Sequence, residues 1–501
     1  MLENMFLPLL PAIRALNPPP SLVSSASLIA SIASITPQQP CQDTMRRDLA
    51  ERLIVKLPGK NLSMVPVPVV TVTQDLRAQN VTEALLRERD RCFGNPVTLI
   101  RGLPQAIGFD MEAFSSATLA AEHGDVEVEL RVQRQQEPDS NTHNGQEVWF
   151  CTSTSKKSNI AAYADYQAAF LAEQDVTVRR RPQKKVTVDF CTNIDLIDEE
   201  SWRRQYAELQ KLPVFLQVNS PEDMLYQYDQ AILGMNRAQM YMKVAGCRTP
   251  GHQENNNFCS VNLNLGPGDC EWFAVEPKYW TDINELCKAN GVDFLKGSWW
   301  PSLPDLQRGE IPYTRFVQKM GEVVHLNAGT VHWVQAVDVC NNVAWNVGPL
   351  TANQFAQALE RYTCNIPERY KSIVPMETLA WRLTNVQSAD AEFHRALHAH
   401  LKASLEAQHA LDRRVMTRRL RIIECAPEGA AIYCVDCQAE IFNYIFVRDK
   451  EDAEQPTYCE KCASKVLRGK PQVVFRKRSV TELMQALNDY EEFLSQMEPP
   501  K

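Results

Sequence analysis

The chain has 501 residues, 44% of them hydrophobic and 23% charged, with a net charge of -8 and a sequence pI near 5.7. This length allows two or three domains and a sizeable core. The acidic balance argues against a protein dominated by phosphate-backbone binding, and mildly for a cationic partner. Fifteen cysteines are too few for a disulfide scaffold. Four fall in two C-x-x-C pairs, which points to a reducing compartment holding four metal thiolates and mostly free buried thiols. The apolar runs near the start are interrupted by Pro8 and Pro11 or diluted by serines, so neither a signal peptide nor a membrane span is expected.

Residues 1 to about 88 read as a variable, partly disordered leader, with a charged helix over Met45 to Val55 and extended chain around Pro66 and Pro68. Asn80 lies three residues before Glu83, a capping-box spacing that predicts a helix from Val81 to Arg89, or a later start capped by Thr82. Pro96 to Ile100 and Val126 to Val132 read as strands, with a helix over Met111 to Glu122 between them. Arg179, Arg180, Arg181, Lys184 and Lys185 form a basic run, either a solvated loop or a partner-binding or nuclear-import patch, beside a strand over Val186 to Phe190. Ser220-Pro221-Glu222-Asp223 has the chemistry of a helix start. Met240 to Val347 is strand-rich, 373 to 425 helical, and a small cysteine-bearing module follows Pro427.

His252 and Glu254 are two residues apart, so on an extended segment they share a face. The next strand alternates: Ser260, Asn262 and Asn264 face one way, and Cys259, Val261, Leu263 and Leu265 face a core. A polar inner face needs hydrogen-bonded compensation, which a barrel around a polar ligand supplies. His332, in the apolar strand Thr330 to Val334, is the third candidate ligand. Two imidazoles and a carboxylate suit Fe(II) with open positions, and the same set suits hydrolytic zinc. Tyr241 and Lys243 share a strand face. Lys243 is either a solvated edge lysine or a buried cation that needs an anion such as the distal carboxylate of 2-oxoglutarate, with Thr249, Ser260 and Asn262 adding neutral hydrogen bonds.

Cys434-x-x-Cys437 and Cys459-x-x-Cys462 have the spacing of a structural zinc site, with Phe442 and Phe446 placed to cover a small core. His394 and His398 read as an exposed helical pair, His325 as packing variation, and Trp299-Trp300 as packing around the barrel.

The runs Arg248 to Ser260, Gly266 to Trp272, Ala328 to Ala336 and Trp345 to Leu350 are similar to those of the JmjC histone demethylases, within them the group acting on methylated lysine 27 of histone H3. The resemblance extends over roughly residues 92 to 498. It implies a mainly β fold: a double-stranded β-helix (jelly-roll or cupin) JmjC core with flanking helices and a C-terminal four-cysteine zinc module. The expected divisions are a leader at 1-88, an N-terminal flank at 89-204, a catalytic barrel at 205-370, a helical linker at 371-425 and a zinc module at 426-501. The resemblance implies Fe(II) on His252, Glu254 and His332, and 2-oxoglutarate held by Lys243, Thr249, Ser260, Asn262 and Asn342. It places Tyr241 beside the methylated lysine and Zn(II) on Cys434, Cys437, Cys459 and Cys462. It implies demethylation of di- and trimethylated lysine 27 with release of formaldehyde, succinate and carbon dioxide. A nuclear location follows, with the histone H3 tail and chromatin-associated complexes as partners, no membrane, and direct nucleic-acid binding not expected to dominate. The alternatives are a JmjC protein hydroxylase and a non-catalytic chromatin reader.

Overall fold

Polar strands facing inward set the architecture. The computed structural model describes residues 64-72, 82-177, 187-427, 429-448, 456-469 and 472-497. The helix expected from Met45, the Asn80 cap and the basic run at 179-185 lie outside these residues. Nine strands form one sheet, in the order Val69–Thr71, Val97–Arg101, Val323–Leu326, Cys259–Pro267, Cys340–Val347, Gln239–Lys243, Thr187–Asp195, Glu127–Arg134, Ser153–Asn159. Four form a second: Thr314–Gln318, Cys270–Val275, Val331–Ala336, Arg248–His252.

The alternation read from Cys259 to Leu265 sorts these faces. Val261 and Leu263 join Met240, Met242, Val343 and Trp345 in a core closed by Leu119, Ile160 and Tyr163 from the helices Ser116–His123 and Ile160–Thr177. The outer face of the smaller sheet, including Phe273, Val331 and Trp333, packs on Trp299, Trp300 and Ile283. Between the sheets, one end is apolar, with Leu99 and Val324 against Trp272, Phe316 and Val334. The rest is polar and internally bonded. Gln318 Nε2 donates to the Asn262 carbonyl (3.0 Å), Trp272 Nε1 to Gln318 Oε1 (2.8 Å), and Asn342 Nδ2 to Asn262 Oδ1 (3.1 Å). Such bonds add about 1 kcal/mol each, but a broken one leaves a buried group that costs about 1–3 kcal/mol.

Two expectations are corrected. The fold is not mainly β: among the described residues helix accounts for 38% and strand for 27%. Nor do the strands close into a barrel, since among the described residues no strand of one sheet is bonded to a strand of the other. The sequence pattern of 240 to 347 does not extend over the chain. Helices Ile160–Thr177, Ala352–Asn365, Ala391–Thr417 and Val480–Met497 carry the balance. The last three share one core through Phe355, Leu397 and Leu483. At the far end of Ala391–Thr417, Val415 packs on Tyr444 and Phe446 of the cysteine-bearing module.

Smaller differences have local causes. The helix expected at Met111 breaks into a 3-10 turn, Met111–Phe114, and the helix Ser116–His123, because Ser115 is extended and caps the second. His394 is not exposed. It is 3% accessible, and its Nδ1 sits 2.8 Å from the Tyr490 hydroxyl on the C-terminal helix, while His398 pairs with Glu491. The Ser220 start signal yields only the 3-10 turn Met224–Gln227. Asp223 Oδ1 accepts from Leu225 N (2.7 Å) and from Gly348 N (2.8 Å), and Met224 N donates to the Gly348 carbonyl. The end of strand Cys340–Val347 thus captures the segment before a helix can propagate.

Asp223 Oδ2 is buried without a partner, and burial pushes this carboxyl up to about 7. Because the folded pKa is raised, its contribution is fullest at low pH and is lost as pH rises through about 7. Asp223→Asn cannot ionise and should flatten that decline. Melting temperatures at about pH 5 and about pH 8 should fall by a few degrees more in the wild type than in the variant.

Candidate metal centre and polar cavity

Strand pairing brings the histidines together. His332 lies directly across from His252 in the antiparallel ladder, and their ring centroids are 4.1 Å apart. Glu254 follows just past the end of its strand. Its Oε1 is 3.9 Å from His252 Nε2 and 3.5 Å from His332 Nε2. Ligand atoms of the three residues all lie within 4.8 Å of one another.

The tautomers follow from hydrogen bonding. His252 Nδ1 is 2.9 Å from the Pro250 carbonyl, and His332 Nδ1 is 3.2 Å from the Thr330 carbonyl. A carbonyl only accepts, so each Nδ1 carries the proton and each Nε2 presents its lone pair to the side where Glu254 sits. Burial, and secondarily His252, holds the His332 pKa well below its ordinary value, which keeps that ring neutral. Two neutral nitrogens and a carboxylate oxygen are a donor set that fits a divalent ion. Gly251 lets His252 take its place, since a Cβ there would lie 2.0 Å from the Trp299 ring.

A cavity of about 290 Å³ opens beside this centre, lined by Tyr241, His252, Glu254, Ser260 and Arg361, with Asn193, Asn256 and Asn365 among its amides. Lys243 is buried behind Tyr241, with its Nζ 4.0 Å from Cys270 Sγ and 5.8 Å from the Tyr241 ring centroid. It makes no ion pair among the described residues. Cys270 and Cys340 sulfurs are 3.4 Å apart, and Asn342 Oδ1 lies 3.5 Å from Cys270 Sγ. The hydrogen bond from Cys340, and after it the Lys243 charge, holds the Cys270 thiol below its usual range. A buried ammonium served only by thiols and rings is a place for an anion.

Thr249 joins this face by an irregularity that spacing conceals. His332 pairs with His252, but Val334 pairs with Thr249, so three steps on one strand match two on the other. This bulge turns Thr249 to the side of His252; strict alternation would send it to the opposite face. Lys243, Asn262, Asn342 and Tyr241 converge from the larger sheet by register: Cys340 faces Lys243, and Asn342 faces both Tyr241 and Asn264. Sequence reasoning missed Gln253, Trp272 and Arg361. Trp272 stacks 5.9 Å from His332 and Arg361 hydrogen-bonds Gln253, but neither has a motif of its own.

At the other end of the chain the Sγ atoms of Cys434, Cys437, Cys459 and Cys462 also lie within 4.8 Å of one another. Cys459 is the N-cap of helix Glu460–Val466, which carries Cys462. The module's sheet, Arg421–Glu424, Gln472–Arg476 and Tyr444–Arg448, buries Phe446, while Phe442 stacks on Trp381 of the preceding helices. Four thiols this close suit a structural zinc ion. No disulfide joins the described cysteines.

Residues 239–347 match the family model described as "JmjC domain, hydroxylase". Residues 354–408 match "Lysine-specific demethylase 6/UTY, C-terminal helical domain", and 425–472 match "KDM6, GATA-like". The chain carries a JmjC domain, followed by two segments similar to lysine-specific demethylase 6 modules. It is 42% identical over 418 residues to the Homo sapiens protein named "Lysine-specific demethylase 6B", covering 77% of this chain and 25% of that protein. It is 29% identical over 470 residues to the Caenorhabditis elegans "Lysine-specific demethylase jmjd-3.1", covering 85% of this chain and 43% of that one. The chain thus spans less than half the length of either relative. A JmjC domain implies use of Fe(II) and 2-oxoglutarate in general terms, and the four-cysteine cluster a zinc-binding module. No described helix is long and apolar enough to cross a membrane.

His252→Ala should abolish binding of Co(II), a spectroscopic substitute for iron, with the melting temperature within a few degrees of wild type. Retained cobalt binding would remove His252 from the centre. Cys437→Ser should lower zinc content and destabilise the C-terminal module, because metal binding there contributes folding free energy. Elemental analysis and limited proteolysis read this directly, and unchanged zinc content would count against the site.

Proposed function

We propose that this chain is an Fe(II)- and 2-oxoglutarate-dependent dioxygenase that demethylates di- and trimethylated lysine 27 of histone H3, with release of formaldehyde, succinate and carbon dioxide. One observation carries the reading: two lone-pair nitrogens and a carboxylate oxygen converge beside a polar cavity, and the strand that lends Tyr241 to its lining buries the Lys243 ammonium on the same face. His252, Glu254 and His332 would hold the iron. Bound there with 2-oxoglutarate and dioxygen, iron supplies oxidation of a carbon–hydrogen bond of the N-methyl group, after which the hydroxylated carbon leaves as formaldehyde. The attack needs no nitrogen lone pair, so trimethyl-lysine is chemically accessible.

The remaining work belongs to the chain's own groups. The Lys243 ammonium pairs with the distal carboxylate of the co-substrate, which relieves an otherwise costly burial. Thr249, Ser260, Asn262 and Asn342 add neutral hydrogen bonds, and the bond from Asn342 Nδ2 to Asn262 Oδ1 limits reorganisation of those two amides. Tyr241 lines the cavity and offers its ring to the methylated ammonium, an attraction suited to a cation that cannot donate a hydrogen bond. Burial holds its phenol protonated.

In this reading residues 205-370 are catalytic, 89-204 flank them, 371-425 link them to the next module, and 426-501 hold zinc on Cys434, Cys437, Cys459 and Cys462. The protein works in the nucleus on the histone H3 tail, within chromatin-associated complexes. The match of residues 239–347 to the JmjC domain model, and of both following segments to lysine-specific demethylase 6 models, supports this reading.

Mass spectrometry of methylated H3 peptides with iron and 2-oxoglutarate tests it. The expected outcome is stepwise loss of methyl groups from lysine 27, with formaldehyde formed and with succinate. A stable gain of one oxygen would make the protein a hydroxylase. No turnover of any methylated H3 peptide would leave a reader.

A further inference from the structure

Helix Ala352–Asn365 reaches the residue between His252 and Glu254 through Arg361. Arg361 is buried, with its guanidinium 4.3 Å over the Trp280 ring and 5.8 Å from Phe294. Its hydrogen bonds run to amide oxygens, at 2.5 Å to Gln253 Oε1 and at 3.5 Å to Asn257 Oδ1. Among the described residues, none runs to a carboxylate. Burying a guanidinium this way is costly, and core packing alone could use an apolar side chain.

Gln253 stands between His252 and Glu254. Its Nε2 donates to the Gly329 carbonyl at 2.6 Å, in the turn that leads into His332. One carboxamide therefore joins both segments that supply the three ligands, and Arg361 fixes the orientation of that carboxamide. The ladder alone cannot do this. Glu254 lies beyond the last residue of its strand, and the bulge interrupts the pairing just before it. The turn is confined from the other side as well: Gly329 has φ +74, and a Cβ there would come 2.9 Å from Gln357 Oε1 of the same helix.

We propose that Arg361 and Gln253 form a clamp that holds His252, Glu254 and His332 in place for one metal ion. They are positioning residues: they set metal retention through the ligands and do not contact the metal. This rests on the metal centre of the proposed function and not on its substrate.

Co(II) titration of the full chain, followed by visible absorption, tests the clamp, with His252→Ala marking the signal of this centre. Gln253→Leu and Arg361→Met should each weaken cobalt binding by about ten-fold or more, as removal of ligand-orienting partners does elsewhere. The double variant should lose clearly less than the product of the single losses, since either change opens the same clamp. Arg361→Lys should recover part of the affinity, and zinc content should not change. Wild-type affinity in Gln253→Leu, or fully multiplicative losses, would overturn the proposal. Should Arg361→Met fail to fold, Gln253→Leu and Arg361→Lys decide. A wild type that binds no cobalt overturns both the clamp and the metal reading. A wild type that binds cobalt, loses it in the clamp variants and demethylates no peptide overturns only the proposed substrate.

Discussion

The pairing of His332 with His252 across two antiparallel strands is the constraint on which the site depends. It places two imidazoles side by side without any long-range search by flexible side chains. Each ring is then oriented by a carbonyl two residues earlier in its own chain. The ligand geometry is thus written largely in backbone, the least adjustable part of a protein. Only Glu254 lies outside the ladder, and it is there that side-chain hydrogen bonds and a buried arginine take over.

The interior between the sheets follows from the same economy. Asparagines and glutamines occupy positions where an ordinary sheet pair would carry valine and leucine, and they satisfy one another. Lys243 is the exception, a fixed charge among neutral partners and thiols. Bonds such as those between Asn262, Asn342 and Gln318 make these walls rigid, and the Lys243 ammonium favours a negative group among what enters. Apolar cores on the far face of each sheet carry the hydrophobic stabilisation, so the polar layer need not.

Much of this was legible in the sequence, for identifiable reasons. Strand Cys259–Pro267 announced itself because its two faces meet different environments, and period two exposes that difference. The C-x-x-C pairs were legible because their spacing is local. Closure was not legible: whether edge strands bond to each other depends on pairing that no single segment encodes, and here two open sheets result. The helical surplus was underestimated because the strand-rich motifs are also the most recognisable stretches. Ser220 to Asp223 misled because a capping carboxylate serves any donor, and Gly348, far along the chain, supplied one. His394 misled because Tyr490, which buries it, belongs to the C-terminal helix. Arg361 gave no signal, since an arginine on an amphipathic helix resembles every other until its partners are known.

The irregular pairing at Thr249 carries a further implication. Pairing all of the residues from 249 to 252 regularly, without the bulge, would improve the strand as a strand. Yet it would put the two polar groups out of phase, so that Thr249 and His252 could no longer face one chamber. Connecting loops elsewhere can lengthen or shorten without touching the chemistry. In this one short strand the irregularity itself is a functional feature.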